Sequence, residues 1–253
     1  MKTPQSIINK RRNDIIKYLK TTPAISNDQL SKLLNTSPLT IRRDLKYLEE
    51  QHLLIRHYGG ATLILPPSYS SEPNKLSSNK ERIAQYAATL IQEDDIIFIN
   101  SSSTALNILD YINDKHVIVV TNNGNILSKN IPYNIEVMLT GGQINPGKQS
   151  MIGDFATHIL KNISASKCFL GVSGIDYNTG ISTAIMQETQ INKEMISQTQ
   201  GSIYIVAESY KILKPNNFSS GSIDQISCLI TDSEITEVDR NGFEKVNIPV
   251  IIV

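Results

Sequence analysis

Residues 25–50 read ISNDQLSKLLNTSPLTIRRDLKYLEE, and this stretch specifies two helices and the turn between them. Ser26 with Gln29 three residues on is a capping box, and Ile25 and Leu30 stand where a hydrophobic staple places them. Leu30, Leu33 and Leu34 give the first helix one apolar face, and Asn35-Thr36 breaks the pattern where a helix-turn-helix needs its turn. The second helix restarts at Ser37 as N-cap, with Pro38 at the first helical position, where a missing N–H costs nothing. Ile41, Leu45 and Leu48 form its buried stripe. A rotation of about 100° per residue then puts Arg43, Lys46 and Tyr47 on the opposite face, with Arg42 on the flank and Thr40 in the first turn.

Such a helix fits the major groove of double-stranded DNA, whose guanine edges accept Arg hydrogen bonds and whose phosphates attract any cation. Ser37 and Thr40, near the helix N-terminus, are placed to add phosphate or base contacts. The competing reading makes Arg42 and Arg43 a solvated face partnered by Asp44. Capping, turn and charge signals agree along the whole stretch, which favours nucleic acid. Downstream, Leu53–His57 and Ala61–Leu65 are strand-like runs around Tyr58-Gly59-Gly60, a β-hairpin that reads as a wing. Arg56 and His57 on it either touch phosphate or are incidental to a structural hairpin. Upstream, Ile8, Ile15, Ile16 and Leu19 make an amphipathic first helix that also carries Lys10, Arg11, Arg12, Lys17 and Lys20.

From Leu30 to Leu63, with Thr40-Ile41-Arg42-Arg43-Asp44-Leu45 and Arg56-His57-Tyr58-Gly59-Gly60-Ala61 as landmarks, the chain resembles the winged helix-turn-helix of the DeoR family of bacterial transcriptional regulators. The resemblance implies a sequence-specific DNA-binding domain over 1–65, with its helix-turn-helix at about 26–45. Charge agrees with a division of the chain. The whole carries 24 basic and 24 acidic residues, but residues 1–62 hold 11 Lys+Arg against 5 Asp+Glu, a net of +6, and the remainder 13 against 19, a net of −6. Pro66–Ser78, rich in proline and serine, reads as a linker to a second domain over 79–253.

In that second part, apolar runs at Ile96–Ile99, Val117–Val120, Ile135–Leu139, Cys168–Val172, Ile203–Val206, Cys228–Ile230 and Ile248–Val253 are separated by helix-like segments, including 79–92 and 104–111. This is the pattern of a parallel sheet covered on both faces, so the fold class is α/β. The last run is either a buried strand or a subunit contact. Polar and glycine-containing segments follow the strands: 100–104, 121–124, Thr140-Gly141-Gly142, 173–176, 208–211 and 231–232. They collect at the edge where open α/β sheets bind ligands. The loop Ser101-Ser102-Ser103-Thr104, running into a helix, offers hydroxyls and unpaired N–H groups to a phosphate, with the helix dipole in support. The competing reading has Ser103 or Thr104 simply capping that helix. Lys211 can neutralise a second side of the phosphate, and Asn122, Asn123 and Asp176 can bond hydroxyls.

The second part is also similar to the DeoR effector-sensing domain, whose fold is related to ribose-5-phosphate isomerases and CoA-transferases and whose members sense phosphorylated sugars. The resemblance aligns 100–104 with the family phosphate loop, Thr121-Asn122 with its Thr-Asn pair, Gly141-Gly142 and Gly153 with its glycines, and Lys211 with its lysine. Asn100 stands where the family has an acid, Ser102 where it has glycine, Glu208 where it has aspartate and Tyr210 where it has a small residue. Ser102 lacks glycine's freedom, which puts the loop's shape in question.

The expectation is therefore a repressor of a carbohydrate-utilisation operon that binds operator DNA, responds to a phosphorylated sugar and works as a dimer or tetramer on paired half-sites. Two other readings stand beside it. One is an isomerase-like enzyme tethered to a DNA-binding head, for which Asp176, Glu188, Glu208 and Lys211 supply residue types. The other is an architectural DNA-binding protein without a ligand. No secretory signal or membrane span is present in the sequence, pointing to the cytoplasm. Cys168 and Cys228 lie in apolar runs without Cys-x-x-Cys spacing, so buried reduced thiols are expected. The histidines, His52, His57, His116 and His158, have no metal-ligand spacing, and neither zinc nor another cofactor is expected.

Overall fold

The computed structural model describes residues 5–21, 25–50, 54–57, 60–63 and 73–253. The chain divides into two compact units, Met1–Pro73 and Asn74–Val253.

In the first unit, helix α1 (Gln5–Thr21) is followed by a short strand β1 (Ile25–Ser26), helices α2 (Asn27–Leu33) and α3 (Pro38–Glu50), and strands β2 (Leu54–His57) and β3 (Gly60–Leu63). The capping box forms as read: the Gln29 N–H donates to Ser26 Oγ at 3.2 Å and the Ser26 N–H to Gln29 Oε1 at 2.8 Å. The turn between the helices is closed by Asn35 in the left-handed region, φ 45°, a conformation that asparagine tolerates. Ile15, Leu19, Ile25, Leu30, Ile41, Leu45, Leu48, Leu54 and Ala61 make one buried cluster. Strand β3 pairs antiparallel with both neighbours, Arg56 opposite Ala61 and Ile25 opposite Ala61, in the order β1-β3-β2. The pairing of Ile25-Ser26 with the wing escaped the sequence reading, because two residues carry no periodicity. Tyr58-Gly59 at the wing's tip, Leu53, residues 64–65 and the 66–72 portion of the linker lie outside the described residues.

Helix α4 (Pro73–Thr89) starts at the last residue of the first unit and leads into the second, so the chain is helical from Pro73, inside the stretch read as linker. Pro73 is again tolerated at a helix's first position. There follow β4 (Asp95–Ile99), the one-turn helix α5 (Ser103–Leu106), β5 (Val117–Thr121), β6 (Ile135–Leu139), β7 (Gln143–Asn145), β8 (Ser150–Ile152), α6 (Asp154–Leu160) and β9 (Ala165–Leu170). The chain continues through β10 (Gly174–Asp176), β11 (Gly180–Thr183), α7 (Met186–Ser197), β12 (Thr199–Val206), β13 (Phe218–Gly221), β14 (Cys228–Thr231), α8 (Glu237–Lys245) and β15 (Val250–Ile252). The seven apolar runs are the seven strands of one parallel sheet, ordered β15-β14-β12-β9-β4-β5-β6. Alternate side chains enter different cores. Ile97, Ile99, Val117 and Val119 pack with Ile83, Ala84, Ala87 and Ala88 of α4. Phe98, Val120, Cys168 and Leu170 pack with Leu160 of α6, Met195 of α7 and Phe243 of α8. Each large apolar side chain buried this way contributes about 1.5–3 kcal/mol. Both cysteines are free and buried; burial pushes the Cys228 thiol up to about 11.

From β4 the chain moves to β5 and β6 on one side, then returns to β9 on the other. The strand order thus reverses between β4 and β9, which makes their C-terminal ends the switch point at which open α/β sheets bind ligands. The segment 248–253 contributes β15, an edge strand paired with β14. A hairpin, β7 with β8, and a three-stranded sheet, β10-β11-β13, are additions to the seven strands.

Candidate functional site

On α3, Arg42, Arg43, Lys46 and Tyr47 are exposed, while Ile41, Asp44, Leu45 and Leu48 are buried. Asp44 does not partner its neighbours in sequence. It accepts from Arg11 Nε at 2.6 Å and Arg12 Nε at 3.0 Å, both on α1. This overturns the reading in which Asp44 neutralises Arg42 and Arg43. Arg12 also lies over the Tyr47 ring, 3.5 Å from its centroid, a cation–π contact. Ser37 caps α3 by accepting from the Thr40 N–H at 3.2 Å, and the two hydroxyls lie 2.9 Å apart. One hydroxyl hydrogen of the pair remains available to a phosphate. On the wing, Arg56 is engaged: its Nε donates to Glu49 Oε2 at 2.7 Å and its N–H to Glu49 Oε1 at 3.1 Å. The Arg56 hydrogen bonds hold the Glu49 carboxyl below its ordinary range. Arg56 therefore braces the wing against the end of α3. His57 pairs with Gly60 through the backbone.

In the second unit, the segments after β4 and β9 are locked together by Asn100. Its Nδ2 donates to the Gly171 carbonyl at 2.8 Å and to Asn192 Oδ1 at 3.0 Å; its Oδ1 accepts from the N–H groups of Gly171 at 3.1 Å and Ser102 at 3.3 Å. The carbonyl and the two N–H groups fix which side of the amide is which. Ser102 has φ −72°, so glycine is not needed there. The room comes from Gly171 instead, where a Cβ would meet Ser102 Oγ at 1.8 Å. Ser102, not Ser103 or Thr104, caps α5, accepting from the Ala105 N–H at 3.4 Å. The expected helix over 104–111 is the single turn α5 followed by a 3-10 turn over Asn107–Tyr111. Little helix dipole is available, because the macrodipole needs aligned turns.

The positive field comes from lysines. Lys80 of α4 places Nζ 3.4 Å from Ser103 Oγ and 3.6 Å from Glu208 Oε1. Lys211 lies 2.7 Å from Glu208 Oε2. Lys148, at the tip of the β7–β8 hairpin, lies 3.5 Å from Glu188 Oε1, which also accepts from Ser101 Oγ at 2.9 Å. Burial lowers the Lys211 pKa, Glu208 opposes that, and the charges of Lys80 and Lys148 add to the lowering. Three cations and two nearly inaccessible carboxylates thus gather about the serine loop. An anion arriving there meets cations partly withdrawn from water, where Coulomb attraction is stronger than in bulk solvent.

Asn123 ties the end of β5 to this loop through Nδ2, which donates to the Ser102 carbonyl at 3.3 Å. Asn122 donates to the Met151 carbonyl at 3.0 Å, and its buried Oδ1 has no hydrogen-bond partner. Gly141, Gly142 and Gly153 all have positive φ. At Gly142 a Cβ would also meet the Ile152 carbonyl at 2.7 Å, so these glycines shape the entry to and exit from the hairpin bearing Lys148. Asp176 accepts from the Asn178 N–H at 2.7 Å and so holds the β10–β11 turn; that bond stays within the turn. Lys80 and Lys148 were missed in the sequence. Each is far in sequence from the loop, and each reads there as an ordinary solvated charge.

Residues 11–66 match the DeoR-like helix-turn-helix domain family, and residues 75–233 match the DeoR C-terminal sensor domain family. The chain is 31% identical over 254 residues to the putative aga operon transcriptional repressor of Escherichia coli O157:H7, spanning 97% of this chain and 94% of that protein. It is 28% identical over 231 residues to the glycerol-3-phosphate regulon repressor of Escherichia coli strain K12, spanning 88% of this chain and 90% of that one. Among solved structures, ribose 5-phosphate isomerase A from Neisseria gonorrhoeae aligns over 53% of each chain at 15% identity, with a TM-score of 0.38. A helix-turn-helix unit with a cationic second helix, joined to a parallel-sheet sensor unit, and matched to its relatives nearly end to end, makes this chain a DNA-binding transcriptional regulator of the DeoR family.

Proposed function

We propose that the protein represses a carbohydrate-utilisation operon and that a phosphorylated sugar, held at the Ser101–Ser103 loop, changes its hold on the operator. The observation that carries this reading is the convergence of Lys80, Lys148 and Lys211 on a loop of three hydroxyls. Ser103 and Lys211 hold the phosphate, while Asn122, with a buried acceptor to spare, takes a sugar hydroxyl. The relatives whose names speak of an aga operon and a glycerol-3-phosphate regulon support the class of signal. On the DNA side, Arg42, Arg43 and Lys46 meet the major groove, and Tyr47 packs beside them under Arg12. The protein works in the cytoplasm as a dimer or tetramer on paired half-sites; among the described residues no helix is long and apolar enough to cross a membrane.

We assign it no catalysis. Aldose–ketose isomerisation needs a positioned base near one carbon, and the candidate carboxylates are already engaged. Glu188 is engaged by Ser101, Thr183 and Lys148, Glu208 by two lysines, and Asp176 by its own turn. The test is fluorescence anisotropy on DNA from upstream of the protein's own gene, with and without a panel of phosphorylated sugars. Sequence-specific binding that one of them weakens supports the reading, whereas DNA binding that none of them alters favours the ligand-free architectural role.

A further inference from the structure

The three lysines of the sensor site come from three different segments, and one of these segments is special in the chain. Lys148 sits on a hairpin and Lys211 follows β12, but Lys80 belongs to α4, the helix through which the chain enters the sensor unit from the DNA-binding side. From the phosphate reading given above, we infer that Lys80 reports an anion bound at the Ser101–Ser103 loop to α4, and through α4 to the segment leading to the DNA-binding unit.

The geometry makes Lys80 more readily redirected than Lys211, the other cation on Glu208. Glu208 is fully buried and held by Lys211 at 2.7 Å, whereas its distance to Lys80 is 3.6 Å. Lys80 is meanwhile within 3.4 Å of Ser103 Oγ, on the loop where the phosphate sits. A phosphate at Ser103 brings up to two negative charges and three acceptor oxygens, so it outcompetes one carboxylate already shared with Lys211. The Lys80 ammonium then exchanges Glu208 for phosphate. Its side chain is only 22% exposed, which limits how far the stem can reorient without its helix.

Helix α4 is built to pass such a displacement on. Its packed face is Ile83, Ala84, Ala87 and Ala88, all buried against the sheet. Alanines present a smooth surface, over which a helix shears more readily than across interdigitated large side chains. The continuous helix from Lys80 back to Pro73 is a rod of about 10 Å, so movement at Lys80 reaches the helix's first turn. Anion binding and the disposition of that turn are then linked states of one element, the requirement for coupling between sites.

The test is hydrogen–deuterium exchange on the full-length protein titrated with inorganic phosphate, for wild type, Lys80→Gln, Lys80→Arg and Lys211→Gln. In the wild type, phosphate slows exchange several-fold across 102–106 and also changes it across 74–84. Lys80→Gln needs more phosphate to protect the loop and, once the loop is protected, leaves 74–84 unchanged; Lys80→Arg restores both responses. Lys211→Gln loses the loop protection. Loop protection in the wild type without any response in 74–84, or a response in 74–84 that persists in Lys80→Gln, overturns the role of Lys80 and leaves the phosphate site standing. No loop protection in the wild type removes the phosphate reading, and this inference with it.

Discussion

Asn100 carries more of the sensor site than any other residue outside the lysines. An amide donates and accepts at once, and here it faces a carbonyl and an amide oxygen on one side and two N–H groups on the other. A carboxylate fills the same space but has nothing to donate to Gly171 O or Asn192 Oδ1. Asn100→Asp is therefore expected to destabilise the sensor unit by about 1–3 kcal/mol, the cost of buried acceptors left unpaired; chemical denaturation measures it. The resemblance to a family with an acid at this position gave no hint of this, since the partners Gly171 and Asn192 lie far away in sequence. Arg43 is a second single-residue case. Arg43→Ala is expected to weaken operator binding by about 1–3 kcal/mol and relax specificity at one base pair if it reads guanine, or to lower the salt slope uniformly if it meets phosphate. Affinities for operator variants across a salt series separate the two, and an unchanged affinity removes Arg43 from the interface.

At the scale of elements, the tie between α1 and α3 is a buried carboxylate gripped by two guanidiniums. Asp44→Ala leaves Arg11 and Arg12 without that acceptor and is expected to cost the DNA-binding unit about 1.5–3 kcal/mol, the range for hydrogen bonds to charged groups. Operator affinity falls with it, because the helix bearing Arg42 and Arg43 loses its brace. In the sheet, Asp95 at the start of β4 is pulled two ways. Burial raises its carboxyl pKa, but Lys167 at 2.6 Å, the Gln92 N–H at 2.7 Å and Ser166 at 2.7 Å lower it further than burial raises it. A carboxyl depressed in the folded state stabilises fully above its ordinary value of 3.8 and loses that stabilisation as pH falls through the lower folded value. Wild type and Asp95→Asn should accordingly differ in unfolding free energy at neutral pH and converge in strong acid; a difference constant with pH contradicts the assignment. Elements were also what the sequence displayed best. Strands buried on both faces must be continuous apolar runs, which made the central strands visible, and the edge strands β6 and β15 were apolar enough to be read with them. Short polar strands such as Gln143–Asn145 and Phe218–Gly221 have no comparable signature, since register with a neighbour rather than burial makes them strands.

For the whole molecule, the switch point between β4 and β9 follows from the strand order of the sheet. The polar rim at the strand ends was therefore readable before any coordinate. Its charge was legible only in part: Lys211 was read there, but Lys80 and Lys148 were not, and the helix expected over 104–111 to support the anion is a single turn beside these three cations. The central claim is that this assembly recognises phosphate on a sugar, and thermal unfolding of the full-length protein tests it most directly. A ligand that binds the native state at 100 times its Kd stabilises by about 2.7 kcal/mol. Phosphorylated and unphosphorylated forms of the same sugars would be compared on wild type, Lys211→Ala and Ser103→Ala. The expected result is a rise in midpoint for the wild type with at least one phosphorylated sugar, none with its unphosphorylated form, and loss of the rise in both variants. A wild type indifferent to every phosphorylated sugar, or variants that respond as the wild type does, would contradict the claim.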